Sequence, residues 1–197
     1  MCNFREAQKM KMEEIISITT GTPQFRIKDS SNKAPTYYFY GQQELENDLV
    51  GLELSPESAR TISTMDDLSL VNEGDILFSL ISGRATIVSE KHRGYLYTQN
   101  YVRMIPKDSI DSKYLVYILN ENDFIKKQLI KGLQGSTTLK YTVKQLRELE
   151  LPKLHSYDKQ KIIGNIYFKQ LRLRALKIRI ADAERLLALK ILKGVKL

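Results

Sequence analysis

The stretch DKQKIIGNIYFKQLRLRALKIRIADAERLLALKILK, Asp158 to Lys193, contains no Pro and a single Gly, Gly164. At about 1.5 Å of rise per residue it makes a helical rod of roughly 54 Å. That is some three times the mean globular helix of about 11–12 residues. Ile162, Ile166, Leu173, Leu176, Ile180, Ala183, Leu187 and Ile191 recur in steps of three, four and seven, tracing one apolar stripe interrupted at Lys169. A second, partial stripe runs through Ile163, Tyr167, Leu171 and Ile178. The rest of the chain offers little to cover such a rod, so a partner helix from another copy or another protein is expected along it. The competing reading is an amphipathic helix packed on its own domain. Pro152 and Gly194 bracket the rod. Ser156 or Asp158 can cap its start, and Lys193 and Lys196 suit a C-terminus.

Charge divides the chain at the same place. There are 31 basic and 23 acidic residues, net +8. From Lys153 onward twelve basic side chains oppose three acidic ones, so this end carries +9 and the first 152 residues carry −1. A basic arm can follow phosphates or face an acidic partner, and it can also be only a solvated face. The near-neutral head must rely on local patches for any nucleic-acid contact.

Composition sets further bounds. The lone Cys2 excludes a disulfide framework or a Cys-based zinc site, and two histidines, His92 and His155, argue against a metal centre. No segment reads as a secretory leader or a membrane span, so a cytoplasmic address is expected. The head reads as mixed short strands and helices. Strands are expected over 11–20, 37–40, 60–63, 75–81, 85–88, 95–97, 101–105 and 149–151. Helices are expected from a cap at Asp111 or Ser112 to Asn120, over 123–131 and over 142–149. This pattern predicts an α+β domain, residues 1–155, with a curved, mostly antiparallel sheet and a few helices. A long coiled-coil-type helical arm, 156–197, follows it.

The order of short motifs resembles the target-recognition domain of specificity (S) subunits of type I restriction-modification systems. The resemblance rests on ITTGTP (18–23), GDILFSLISGRATIV (74–88), TQNYVRMIP (98–106), KYLVYIL (113–119), GST (135–137), ELPKL (150–154) and DKQKII (158–163). Each motif is short, but together they span nearly the whole chain in the family's order. Two departures are Leu-Pro-Lys where Pro-Leu-Pro is usual and Lys159 where the family has Glu. A full S subunit carries two recognition domains and two spacer helices. The resemblance therefore implies a single-recognition-domain form, expected to homodimerise through antiparallel C-terminal helices along Ile162, Ile166, Leu173, Leu176, Ile180 and Leu187.

The resemblance further implies a DNA-binding, non-catalytic targeting subunit without a cofactor. Its partners would be double-stranded DNA and the modification (methyltransferase) and restriction subunits, and its target bipartite. Side chains suited to DNA are Arg26, Lys28 and Lys33 in the 24–33 loop, and Gln42 and Gln43, able to pair bidentately with adenine. Arg84, Lys91, Arg93, Ser136, Thr137 and Lys140 offer phosphate or base contacts. For each, the plain alternative is a solvated loop residue. Tyr37, Tyr38 and Tyr40 read as sheet residues, and His92 and His155 as ordinary surface residues. No Gly-rich phosphate loop, Asn-Pro-Pro-Tyr motif or HExxH is present. Asp111-Ser112-Lys113, a superficial nuclease half-motif, reads better as a helix cap. The alternative function is a protein–protein adaptor, or a degenerate recognition-domain remnant, acting through the basic arm without specific DNA binding.

Overall fold

A computed structural model describes residues 10–30, 34–52, 60–133 and 140–194. In chain order the elements are β1 (Met10–Lys11), α1 (Met12–Ile15), β2 (Ile16–Thr20), β3 (Thr36–Tyr38), α2 (Gln42–Val50), β4 (Thr61–Ser63), β5 (Ile76–Ser79) and β6 (Ala85–Ile87). There follow β7 (Tyr101–Pro106), α3 (Ser112–Glu121), α4 (Asp123–Leu133), α5 (Val143–Glu148), β8 (Glu150–Leu151) and α6 (Tyr157–Gly194). The architecture is α+β. A four-stranded antiparallel sheet in the order β2-β7-β5-β6 is flanked by two-stranded pairs, β1 with β8 and β3 with β4.

The central sheet is covered on both faces. On β5, Ile76 and Phe78 join a large cluster with Met12, Ile18, Val102, Leu115 and Leu119, while Leu77 joins a second cluster with Tyr40, Leu45, Val71, Val88 and Tyr101. Alternation of side chains along a strand sends successive residues to opposite faces, which is why the run Ile-Leu-Phe can serve both. Such a continuous apolar run marks a strand buried on both sides.

Three expectations need correction. The strand expected over 95–97 is not a ladder strand: Leu96 is paired there only in isolated bridges to Phe39 and Leu70. The expected strand over 11–20 is broken by α1. Met12 and Ile15, three apart, are both buried, and Glu14 accepts a hydrogen bond from the Lys11 N–H (3.1 Å) to cap the turn. Residues 42–50, assigned no element from sequence, form α2. Its apolar face is only Leu45 and Leu49, with Gly51 in the left-handed conformation ending it (φ 66°). So short a stripe inside QQELENDLV carries little periodic signal.

The start of α6 is part of the head. Gln160, Gly164, Tyr167 and Ala175 are buried, and Ile163, Phe168 and Leu171 pack on the main cluster. This face is essentially the second, partial stripe. It lies against α3 at a close crossing: a Cβ on Gly164 would come within 2.6 Å of Lys113 Cβ and 2.7 Å of Tyr114 N. Only a residue without a side chain allows that approach. Polar ties surround it. Gln160 Oε1 accepts from Asp111 N (2.9 Å), and its Nε2 donates to the carbonyls of His155 (2.9 Å) and Ser109 (3.2 Å). Asn120 grips edge strand β6 through both backbone groups of Ala85 and donates to Tyr167 Oη (3.2 Å). That closes the edge of the sheet against stray pairing.

Past Ala175 the helix leaves the head. Every residue from Leu176 to Gly194 is exposed, roughly 28 Å of rod. The first stripe, Ile162, Ile166, Leu173, Leu176, Ile180, Leu187 and Ile191, is exposed along its whole length. The arm is packed on its own head at one end, as the competing reading has it, and exposed at the other.

Gly164→Val should lower stability by about 1–3 kcal/mol, the usual cost of overpacking, and reduce the melting temperature measurably. Gly194→Ala, where a Cβ meets nothing, is the control and should not. Equal melting temperatures for Gly164→Val and the native chain would mean that α3 and α6 do not meet this closely.

Candidate nucleic-acid interface

Several motifs converge at one end of the central sheet. Gly21 sits there because a Cβ would come within 2.4 Å of the Tyr97 carbonyl oxygen, so the turn after β2 passes directly over the 97–98 backbone. Thr22 then bridges to Thr98, and Gln99 N donates to Thr22 O (3.1 Å). Leu80 N, just past β5, donates to Asn100 O, and Tyr141 N donates to Leu80 O, both at 2.8 Å. Lys140 Nζ donates to Asn100 Oδ1 (2.8 Å). The result is a rim made of Thr22, Ile81–Ser82, Gln99–Asn100 and Lys140, with Ile81, Ser82 and Gln99 exposed. Lys33, Ser136 and Thr137 lie outside the described residues.

The segment carrying Arg26 and Lys28 leaves this rim and lies along the 63–69 strand and turn. Ser69 N donates to Thr22 Oγ1 (2.7 Å), Lys28 N to Asp66 Oδ2 (2.8 Å) and Ser30 N to Ser63 O (2.7 Å). The Lys28 N–H holds the Asp66 carboxyl below its ordinary range, with a hydrogen bond from Thr64 adding to it. Both basic side chains are exposed, and the Arg26 guanidinium lies 5.7 Å from the centre of the exposed Phe25 ring.

Lys91 lies within, and Arg93 just after, a short 3-10 turn, residues 90–92, whose only buried side chain is His92. This corrects the expectation that His92 is an ordinary surface residue. Its Nδ1 lies 2.8 Å from Asp48 Oδ1, and the Tyr40 hydroxyl donates to Asp48 Oδ2 at 2.8 Å. Edge-on contacts with Tyr40 and Tyr95 complete its surroundings. His155, by contrast, is exposed. No local pattern announces His92, because its partner Asp48 stands 44 positions away in the chain.

Arg84 occupies a different place. The β5–β6 hairpin delivers it to a cleft of about 360 Å³ between α2 and α6, lined also by Glu46, Leu49, Val50, Arg174 and Ile178. It therefore stands where the arm departs, not on the rim with Lys140. Gln42 and Gln43 sit in the first turn of α2, where the Gln42 amide donates to Glu46 Oε1 (3.1 Å). Sequence reasoning placed them after a strand and missed that pairing. It also passed over Gln99 and Asn100 as individual candidates, although TQN is part of a quoted motif. No helix among the described residues is long and apolar enough to cross a membrane.

The sequence profile of the family described as "Type I restriction modification DNA specificity domain" matches residues 5–180. Among solved structures, the chain is similar to the HsdS subunit from Thermoanaerobacter tengcongensis, with 16% identity and TM-score 0.55, over 87% of this chain and 38% of that one. It is also similar to a chain from a structure of complex assembly and conformational transition in the type I R-M system, with 20% identity and TM-score 0.59, over 93% and 42%. The chain thus spans about two fifths of the length of these structures, and at such identities they speak for the fold. No curated protein matches it.

Three phenols in and around this region are pushed up by burial. Tyr101 and Tyr167 rise to about 12, and Tyr40, also held beside Asp48, rises well above its ordinary value. A folded value above the unfolded one means stability that is whole below pH ~10 and lost as the pH climbs toward 12. Alkaline titration of phenolate absorbance should therefore show a late group that ionises together with loss of the helical signal. All eleven tyrosines titrating in one early step with the fold intact would contradict this burial.

Proposed function

The chain belongs to the family of type I restriction-modification DNA specificity domains, and we propose that it recognises a DNA sequence and directs methyltransferase and restriction subunits to it. The observation that carries this reading is the family match over residues 5–180, nearly the whole head and most of the arm. The fold gives the reading a form. A rim of polar and basic side chains at one end of the sheet, with the Arg26–Lys28 segment and the Lys91–Arg93 turn, supplies side chains for phosphates and base edges. Phosphate contacts set register and a few base-edge contacts select sequence.

In this reading the chain performs no chemistry. A modification subunit transfers the methyl group from S-adenosylmethionine, and a restriction subunit cleaves and translocates. The arm is the assembly surface. Its uncovered stripe, from Ile162 to Ile191, is proposed to pair antiparallel with the arm of a second copy, setting one head at each end of a rigid rod. Two identical heads related by a two-fold axis read identical half-sites in opposite orientation. The target is then a palindrome split by an unspecified gap. The exposed apolar stripe on a basic arm equally favours one other reading, an adaptor that works through the arm without specific DNA binding.

The two readings separate in one experiment. The DNA-targeting chain, with its modification subunit, should select a defined sequence from random duplexes and lose affinity steeply with salt. An adaptor would do neither. Pairing has its own test. Light scattering should give a particle near twice 22.8 kDa, and charged residues at Leu176 and Ile180 should reduce it to a monomer with the head still folded. A strict monomer of the native chain at micromolar concentration would refute arm pairing.

The rod also sets the spacing. Deleting seven residues within 180–191, in the free part of the arm, moves a head by roughly 10 Å while nearly keeping the apolar face in register. Methylation-site sequencing should show the gap shortened by about three base pairs, taking roughly 3.4 Å per pair, with the half-sites unchanged. An unchanged gap would rule out the arm as a ruler.

A further inference from the structure

Asp48 is costly where it stands. It lies in the last turn of α2, where the helix dipole disfavours an anion. Its side chain is only 1% exposed, and a buried carboxylate is tolerated only when it is partnered. Replacing a buried polar cluster by apolar residues of similar volume is often neutral or stabilising. The cluster therefore calls for an explanation other than stability. What it joins supplies one. Tyr40 follows β3 and is fixed by its N–H to Leu96 O (2.7 Å); Asp48 belongs to α2; His92 is the only buried side chain of the 90–92 turn.

Backbone bonds within that turn are local, His92 N to Ser89 O and Arg93 N to Glu90 O, and Gly94 N then donates to Val71 O. They define its shape. Its ends are tied to the head by Val88 N to Asp75 O and Gly94 N to Val71 O, and between those ends the buried His92 ring anchors it, held by Asp48 on one side and by the Tyr40 and Tyr95 rings on the others. Glu90, Lys91 and Arg93 are exposed on either side of it. We propose that Tyr40, Asp48 and His92 form a positioning unit that aims the Lys91–Arg93 turn at the DNA backbone. This rests on the DNA-targeting reading above and assigns three residues to it that touch no DNA themselves. Tyr95 extends the unit outward, stacking on the half-exposed Tyr38 at 5.2 Å.

The test is a comparison of salt dependence using the full chain with its modification subunit and the duplex they select. Each phosphate contact contributes about 0.9 to the slope of log affinity against log salt, so Lys91→Ala with Arg93→Ala should lower it by about two. Asp48→Asn keeps the side-chain volume and removes the charge. It should lower the slope toward the same value, and adding it to the alanine pair should lower it no further. A role in stability alone would reduce the melting temperature and leave the slope in place, and independent roles would give additive losses; either result overturns the proposal. Should Asp48→Asn fail to fold, Tyr40→Phe, which removes a single hydroxyl and keeps the ring, decides by the same comparison. A native chain that binds no duplex at all removes the DNA-targeting reading and this inference together. Native binding with a slope indifferent to both variants removes this inference alone.

Discussion

The close crossing of α3 and α6 at Gly164 is the constraint on which the rest of the structure depends. It sets the angle at which a 38-residue helix leaves a compact head, and it does so by backbone contact, which has no rotamers to relax. Lys113 Nζ reaches Asn165 Oδ1 across the same crossing (2.7 Å), and Gln160 stitches the start of α6 to the turn ahead of α3. Because Asn120 of α3 also holds both backbone groups of Ala85, the orientation of the arm is carried directly to the edge of the central sheet. The root of the arm and the edge of the sheet are thus tied together through α3.

Three buried polar side chains of this head each have a structural address. Asn120 closes the edge of β6, Gln160 anchors the root of α6, and Asp48 ties α2 to Tyr40 and to the 90–92 turn. Each satisfies its hydrogen bonds inside the protein, so each fixes geometry more than it adds stability. The exposed basic residues are arranged around these anchors instead of being part of them. Such a division lets surface residues change with little effect on the core, the usual arrangement of binding loops on a rigid scaffold.

The arm illustrates how one helix can satisfy two demands. Its inner face, with Gly164, Tyr167, Leu171 and Ala175, belongs to the core for about five turns. Its other apolar face stays exposed, and beyond Ala175 the helix is exposed too, with Ile178 still lining the cleft against α2. A run of exposed Ile and Leu side chains of that length is not what a monomer surface ordinarily tolerates. The adjoining Arg and Lys side chains keep it solvated. They also leave the seam available to a helix of complementary spacing.

The helices and turns set by near neighbours were legible in the chain itself. Asp111, one of the two caps read for it, caps α3, and Thr142, read as the first residue of a helix, turns out to cap α5; each accepts from a backbone N–H three residues on. The 3.6-residue periodicity announced α6. What stayed hidden was whatever depends on residues far apart in sequence. The two stripes of α6 look alike as text, and only the fit against α3 decides that Ile163, Gly164, Tyr167 and Leu171 face inward while Ile162, Ile166 and Leu173 stay in water. Met12–Ile15 and Gln42–Val50 became helical because the core takes up Met12, Ile15, Leu45 and Leu49; their own periodicity is too short to declare it. His92 is polar by composition and buried by context, since its partner lies on another element. Local propensity and capping are encoded within a few residues, whereas the burial of a polar side chain and the choice between two apolar faces are properties of the assembled core.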